Sequence, residues 1–170
     1  QGYQARDIMI LGRNKRDLAA VGSYLLANSH YEQSSAESFY LRGSQAVLSL
    51  VSALRCLHDG ADREAAAELL HRLFILGILR DSHDEVFLAG ETVPLKQALA
   101  TEGIDFDAGR LLSTDLYDCC EELVRRLRLD QIDVPYVASL LNKVAAFASR
   151  RPQGIGDFLE WFDEHPDLSI

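Results

Sequence analysis

An arginine is the residue of this sequence whose type and position best suit it to chemistry. Arg13 follows a short continuous apolar run, Ile8-Met9-Ile10-Leu11, from which Gly12 separates it. Continuous apolarity predicts a strand that is buried on both faces, as in a parallel sheet. Ligand-contacting groups of α/β sheets lie just beyond the carboxyl ends of such strands. An arginine there suits phosphate, because its planar fork is always charged and can bind two oxygens. The plainer interpretation is a surface arginine beside Asp17.

The motifs of self-contained enzymes are missing from the sequence. It contains no phosphate-binding loop, no dinucleotide-binding glycine pattern and no nucleophile elbow. No two of its five histidines are four residues apart, and no cysteine pair has metal-ligand spacing. Paired carboxylates occur, but they lie among other charges, as is typical of solvated helix faces. The sequence therefore favours a chain that is not an enzyme by itself and has no cofactor or metal of its own.

The three cysteines favour a reducing compartment. Cys56, Cys119 and Cys120 are an odd number, and adjacent cysteines rarely bridge each other, so a disulfide framework is not expected. We expect all three to be buried or half-buried on helices. No apolar run approaches the 18 residues that suggest a transmembrane helix. The expected location is cytoplasmic.

The elements that would position Arg13 form a short α/β piece. The predicted strand over residues 8–11 is followed by a helix over about residues 16–27 and a second short strand near residues 31–33. From about residue 43 onward, apolar stripes predict helices throughout. We therefore predict a mainly α fold, a helical bundle preceded by a strand–helix–strand piece. The predicted domains are residues 1–35 and residues 36–170.

Capping residues and prolines define several of these predicted helices. Asp62 is a good N-cap, Ser113 or Thr114 caps a later helix, and Pro135 suits a first helical turn. The last predicted helix covers residues 156–164 and has an aromatic face.

Charge is distributed unevenly along the chain. The net charge is -9, from 17 basic and 26 acidic residues. Residues 59–170 hold 11 basic and 22 acidic groups, a charge of -11, which leaves +2 for residues 1–58. A freestanding nucleic-acid binder is not expected, because phosphate contacts supply most non-specific affinity. Any surface that faces phosphate is expected in the first third.

Segments along nearly the whole chain resemble, in order, the stretch between motif IV and motif V of UvrD/RecB-like superfamily 1 DNA helicases. Residues 7–14 match motif IV, which is roughly an acidic residue, an apolar strand, an arginine and a polar residue. Tyr31, the Ser38-Phe39-Tyr40-Leu41-Arg42 element and the polar turn at residues 58–62 follow in the family's order. Residues 157–162 are similar to the F-L-x-W segment before motif V in RecB/AddA-type helicase–nucleases. Ser34-Ser35-Ala36 replaces two glycines that are usual in UvrD-type members, which favours the RecB/AddA branch.

The resemblance implies roles for four residues. Arg13 would contact the γ-phosphate of ATP bound between the two motor subdomains of the parent enzyme. Phe39, Tyr40 and Arg42 would lie near the path of single-stranded DNA, where aromatic rings stack on bases. Ordinary packing under the following helix is the plainer interpretation of Phe39 and Tyr40. Residues 1–35 would begin the second motor subdomain, and residues 36–170 would be a 2B-like accessory subdomain.

The resemblance also implies a larger parent protein, an ATP-dependent DNA helicase of recombination or repair with ATP and magnesium as cofactors. Its partners would be DNA and the remaining helicase subdomains, without a membrane. An attached exonuclease domain or a partner subunit stays open. Gln1 at the first position, with Met9 as the only methionine, favours a piece of a larger chain. The alternative is a stand-alone acidic helical module that binds another protein through the helix carrying Phe158, Trp161 and Phe162.

Overall fold

A computed structural model describes residues 2, 4, 7–13, 21, 25, 40–80, 95–149 and 154–170. The chain divides into two compact units, residues 1–38 and residues 39–170. In the part of the chain that the structure describes, the second unit is helical apart from one isolated bridge between Tyr40 and Ser169. The prediction of a mainly α, helical-bundle fold is confirmed.

Seven α-helices and two short 3-10 turns are described in the second unit. The helices are α1 (Gln45–His58), α2 (Arg63–Ile75), α3 (Leu95–Thr101), α4 (Ala108–Leu111), α5 (Leu116–Arg126), α6 (Val134–Ala148) and α7 (Ile155–Glu164), and the turns are Leu41–Gly43 and Leu129–Gln131.

Helix α1 is the centre of this unit. It packs against α2, α5, α6 and α7. Leu50 and Leu54 are fully buried, and so is Ser49, whose hydroxyl donates to the Gln45 carbonyl over 2.8 Å. A helix that is apolar nearly all round is stable only where neighbours cover every face. The other helices therefore form the layer that removes α1 from water.

Side-chain caps define where the helices begin. Asp62 caps α2, as predicted, by accepting from the Ala65 amide over 2.9 Å. The cap predicted at Ser113 or Thr114 is wrong, because the hydroxyls of both residues donate to carbonyls of the preceding turn. Asp115 caps α5 instead and accepts from the Asp118 amide over 2.9 Å. Pro135 lies in the first turn of α6, as predicted.

The buried strand predicted over residues 8–11 is wrong. Its backbone has no regular structure, and the four side chains are 52 to 85% exposed. A strand needs neighbouring strands to satisfy its backbone groups, and none of the described residues pairs with this run. Val21 and Leu25, within the helix predicted over residues 16–27, are helical. The rest of that helix and the strand predicted near residues 31–33 lie outside the described residues.

Candidate functional site

Arg13 lies in the first unit, at an exposed bend that Gly12 separates from the exposed apolar run. A small turn precedes the run, in which the Gln4 amide donates to an Asp7 carboxylate oxygen over 2.9 Å. The Asp7 amide donates back to the Gln4 carbonyl, also over 2.9 Å. The acidic residue of the motif IV resemblance therefore closes a local turn. The other three candidate residues belong to the second unit.

Arg42 contacts side-chain and backbone atoms of α7. Its Nη2 atom donates to the Phe162 carbonyl over 2.7 Å and to an Asp163 carboxylate oxygen over 3.1 Å. Its guanidinium carbon lies 4.6 Å from the centre of the Phe162 ring. Arg55 of α1 donates to both carboxylate oxygens of Asp163, over 2.9 and 2.7 Å. We call Arg42, Arg55, Phe162 and Asp163 the Arg42 clamp, since they hold the first turn of the unit to α1 and α7.

Backbone pairing joins the same two regions of the chain. Tyr40 and Ser169 form an antiparallel bridge, and the amide of the fully buried Leu41 donates to the Leu168 carbonyl over 2.7 Å. Tyr40 itself is half-buried. Phe39 lies outside the described residues. The segment that leads into the helical unit and the segment that leads out of it are therefore fixed side by side.

A cleft of about 300 Å³ lies beside the clamp, between α1, α2 and α7. Its lining includes three arginines and three carboxylates, Arg42, Arg55, Arg72, Asp62, Glu64 and Glu68. Arg72 donates to the Gln45 side chain over 2.9 Å, and Glu68 accepts from the Ser52 hydroxyl over 3.2 Å. The Nε atoms of Arg42 and Arg72 are buried and make no hydrogen bond. Because positive and negative groups balance, the cleft offers no net positive field to a phosphate group.

The three cysteines are free and buried on helices, as predicted. Burial is the main cause that raises the pKa of Cys56 to about 12 and that of Cys119 to about 11. Burial also raises the pKa of Cys120. The thiolate is the nucleophile and the metal ligand, so these thiols are inert at neutral pH. Among the described residues, no group of three metal-ligating side chains comes together.

Arg126 connects the end of α5 to the loop before α4 through hydrogen bonds. It donates to a Glu122 carboxylate oxygen over 2.8 Å, and to the carbonyl and a carboxylate oxygen of Asp105 over 2.7 and 3.0 Å. The hydrogen bond from Arg126 is the main cause that lowers the pKa of Glu122. This group of charges is a structural contact on the surface of the unit.

The aromatic residues of α7 pack inside the unit. Phe158 and Phe162 are buried, and the Phe158 ring meets Phe147 of α6 edge-on at 5.5 Å. Trp161 is half-buried, and its ring lies 5.4 Å from Phe147 and 5.0 Å from the His165 ring. The partner-binding surface expected of Phe158 and Phe162 is therefore used for intramolecular packing.

Sequence reasoning missed Asp163 as the partner of Arg42 and Arg55 as the second arginine on the same carboxylate. They lie 121 and 13 positions away from Arg42, so no local spacing signals the contact. No family model matches this chain, no curated protein matches it, and no solved structure matches it. Within the described ranges, none of the helices is long and apolar enough to cross a membrane.

Proposed function

We propose that this chain is a non-catalytic part of an ATP-dependent DNA helicase of the UvrD/RecB-like superfamily 1, acting in recombination or repair. Residues 1–35 open the second motor subdomain, and residues 36–170 form a helical accessory subdomain of the 2B kind. The sequence resemblance supports the RecB/AddA branch, whose members combine helicase and exonuclease. In the parent, ATP and magnesium are the cofactors, and DNA and the other helicase subdomains are the partners.

The observation that carries the proposal is the pairing of the two segments that flank the helical unit. A domain inserted into another domain must leave and rejoin its host at nearly the same place. The Tyr40–Ser169 bridge and the Leu41–Leu168 hydrogen bond give the helical unit that property. The Arg42 clamp reinforces it through Asp163, which lies 121 positions away from Arg42. This geometry supports an accessory subdomain that is inserted between two motor elements.

The exposed apolar run beside Arg13 is a second support. Four consecutive apolar side chains, over residues 8–11, are more than half exposed. A parent sheet would cover them and would place Arg13 at the edge where sheets bind phosphate. Arg13 then contacts the γ-phosphate of ATP and stabilises the charge of the phosphoryl-transfer transition state.

The DNA-facing part of the proposal concerns Phe39, Tyr40 and Arg42. Two hydrogen bonds and a ring contact within the protein occupy Arg42, which is 33% exposed. In this proposal Arg42 fixes the turn, while Phe39 and Tyr40 offer rings to the bases of single-stranded DNA. Stacking of that kind contributes about 1 to 3 kcal/mol per base.

The coding sequence on both sides of this chain tests the proposal. We expect a phosphate-binding loop and a magnesium-binding acidic motif upstream, and a motif V-like run, T-x-H-x-x-K-G-x-E, downstream. The purified 170-residue chain should show no DNA-stimulated ATP hydrolysis. A stop codon directly after Ile170, or DNA-stimulated ATP turnover by the isolated chain, would contradict the proposal.

One observation favours the alternative, a stand-alone acidic module that binds another protein. Residues 59–170 carry a charge of -11, which suits a basic partner surface. The same coding sequence discriminates the two functions, because a stand-alone module needs no helicase motifs on either side.

A further inference from the structure

Helix α6 is apolar on two adjacent faces, and only one of them is covered. Val137, Leu140, Val144 and Phe147 point into the unit and are at most 9% exposed. A second row of apolar residues lies beside the covered row on the helix surface. We call this second row the α6 seam, and its residues are Val134, Ala138, Leu141, Ala145 and Ala148. Three of these five residues are exposed and two are half-buried. A helix that is apolar over this width normally packs against neighbours on both faces.

The uncovered face of α6 differs from the other helix surfaces in its charge. Helices α2, α5 and α7 each expose at least three charged residues, whereas none of the exposed residues of α6 is charged. Lys143 is the one charged residue in the helix, and it is half-buried. It lines a small, mostly apolar pocket of about 190 Å³ with Phe147, Trp161 and Leu168, on a different face of the helix from the seam. The exposed surface of α6 is therefore an uncharged strip in an acidic unit.

The spacing of the seam is that of a coiled-coil contact. Its five residues follow one another at intervals of four, three, four and three positions, which is the repeat that keeps apolar residues facing a second helix. The spacing of the seam is also compatible with an antiparallel partner helix. With a two-fold axis at Leu141, Ala138 faces the partner's Ala145, and Val134 faces the partner's Ala148. Layers of larger and smaller side chains then alternate along the contact, and the alanine layers allow a close approach of the helices.

We propose that the α6 seam is a contact between two copies of this chain, with the two α6 helices packed antiparallel. A two-fold contact uses the same patch on both copies, so the patch must complement itself. An uncharged apolar patch does so without bringing like charges of two acidic chains, each of net charge -9, face to face. A basic partner would be drawn to the acidic faces rather than to this strip. The contact does not depend on the helicase proposal.

The contact is weak in the isolated chain. A stable interface normally involves about 20 to 30 residues on each side. The seam and its flanking residues are fewer than that, so the dimer forms only at high protein concentration. Because its core is apolar and each chain is acidic, added salt strengthens association by screening repulsion between the copies.

Sedimentation equilibrium of the full 170-residue chain over a wide concentration range tests the contact. We expect a reversible monomer–dimer equilibrium, which Ala138→Glu or Ala145→Glu weakens by at least about tenfold, because a charge would be buried in the contact. Ala100→Glu is the matched control, since Ala100 is also an exposed helical alanine, on α3. A chain that stays monomeric at all concentrations overturns the proposal, and so does a dimer that the seam variants leave unchanged. Circular dichroism and thermal unfolding of each variant establish that it is folded.

Cysteine cross-linking locates the contact independently. Asn142 is exposed and lies next to the expected two-fold axis, and the three native cysteines are at most 6% exposed. We expect Asn142→Cys to form covalent dimers with a short bis-maleimide reagent, and Ala100→Cys to form none at the same concentration. Equal yields for the two variants would contradict the antiparallel α6 arrangement.

Discussion

Arg42 joins three elements through one guanidinium group. It contacts the carbonyl and ring of Phe162 and the carboxylate of Asp163, and Asp163 in turn holds Arg55 of α1. Each contact alone contributes modestly to stability, but the hydrogen bond to the Phe162 carbonyl is charge-assisted and partly buried. A lysine is a point charge without a planar group, so it could not reproduce the contact of the guanidinium with the Phe162 ring.

Replacing Arg42 with alanine should lower the free energy of unfolding of the chain by about 2 kcal/mol, because a charge-assisted hydrogen bond and a cation–π contact are lost. Urea denaturation measures the change. Arg80→Ala is the control, since the Arg80 side chain is 88% exposed and its ion pair with Glu102 is long, at 3.7 Å. Equal effects of the two substitutions would show that the clamp adds nothing to stability.

The Glu122–Arg126 pair predicts an acid-sensitive contribution to stability. The hydrogen bond from Arg126 lowers the pKa of Glu122 below the ordinary 4.5. The carboxylate of Glu122 therefore binds a proton less readily in the folded chain than in the unfolded chain. The contribution is present above the unfolded pKa and is lost as pH falls through the folded pKa. Glu122→Gln should therefore destabilise the chain at pH 7 and matter less near pH 3. Urea denaturation at both values measures this, and an equal loss at both would contradict it.

At the scale of elements, the local pattern of apolar residues was enough to predict the helices. The apolar stripes predicted helices from about residue 43 onward, and Leu50, Leu54, Leu123 and Leu140, which belong to those stripes, are fully buried. The apolar run at residues 8–11 shows the limit of such reasoning. A continuous apolar run predicts a buried strand only if other strands complete a sheet, and that partner is not encoded in the run itself.

The candidate site was less predictable than the helices. Arg42 stood out through its place in the resemblance, but its partners Phe162 and Asp163, and the second arginine on Asp163, Arg55, depend on how α1 and α7 pack. Tertiary contacts between residues more than 100 positions apart leave no periodic signal in the sequence. The α6 seam, in contrast, can be read from its four-three spacing once the covered face of the helix is known.

The cap of α5 makes a prediction at this scale. Asp115 accepts from the Asp118 amide, so Asp115→Ala should lower the free energy of unfolding by about 1 kcal/mol. Asp115→Asn keeps an acceptor oxygen and should retain most of the stability. Thermal unfolding of both variants measures the difference, and an asparagine variant as unstable as the alanine variant would indicate that the charge, not the cap, is responsible.

At the scale of the whole molecule, the account depends on the fixed ends of the helical unit. The Leu41 amide is buried and bonded to the Leu168 carbonyl, and the Leu168 side chain packs against the core. In the proposed helicase, a helical unit whose ends are held in this way can be carried by a host domain without loosening its own core.

Removing residues 168–170 should expose the Leu41 amide. The deletion takes away its acceptor and part of the core covering, so its hydrogen exchange should accelerate by at least about tenfold. Exchange followed by NMR or mass spectrometry measures this. Deleting Ile170 alone is the control, because that side chain is 46% exposed. Unchanged exchange after the longer deletion would contradict the pairing of the two segments.

DNA-stimulated ATP turnover of the full-length parent protein is the measurement that tests the central proposal most directly. Arg13→Ala should reduce turnover by about 10³-fold or more while leaving affinity for single-stranded DNA largely unchanged, because the proposal assigns Arg13 to the γ-phosphate and not to DNA. Arg80→Ala, an exposed arginine of the helical unit, should leave both quantities unchanged. A parent protein without DNA-stimulated turnover, or an Arg13→Ala variant that hydrolyses ATP at the unmodified rate, would contradict the account.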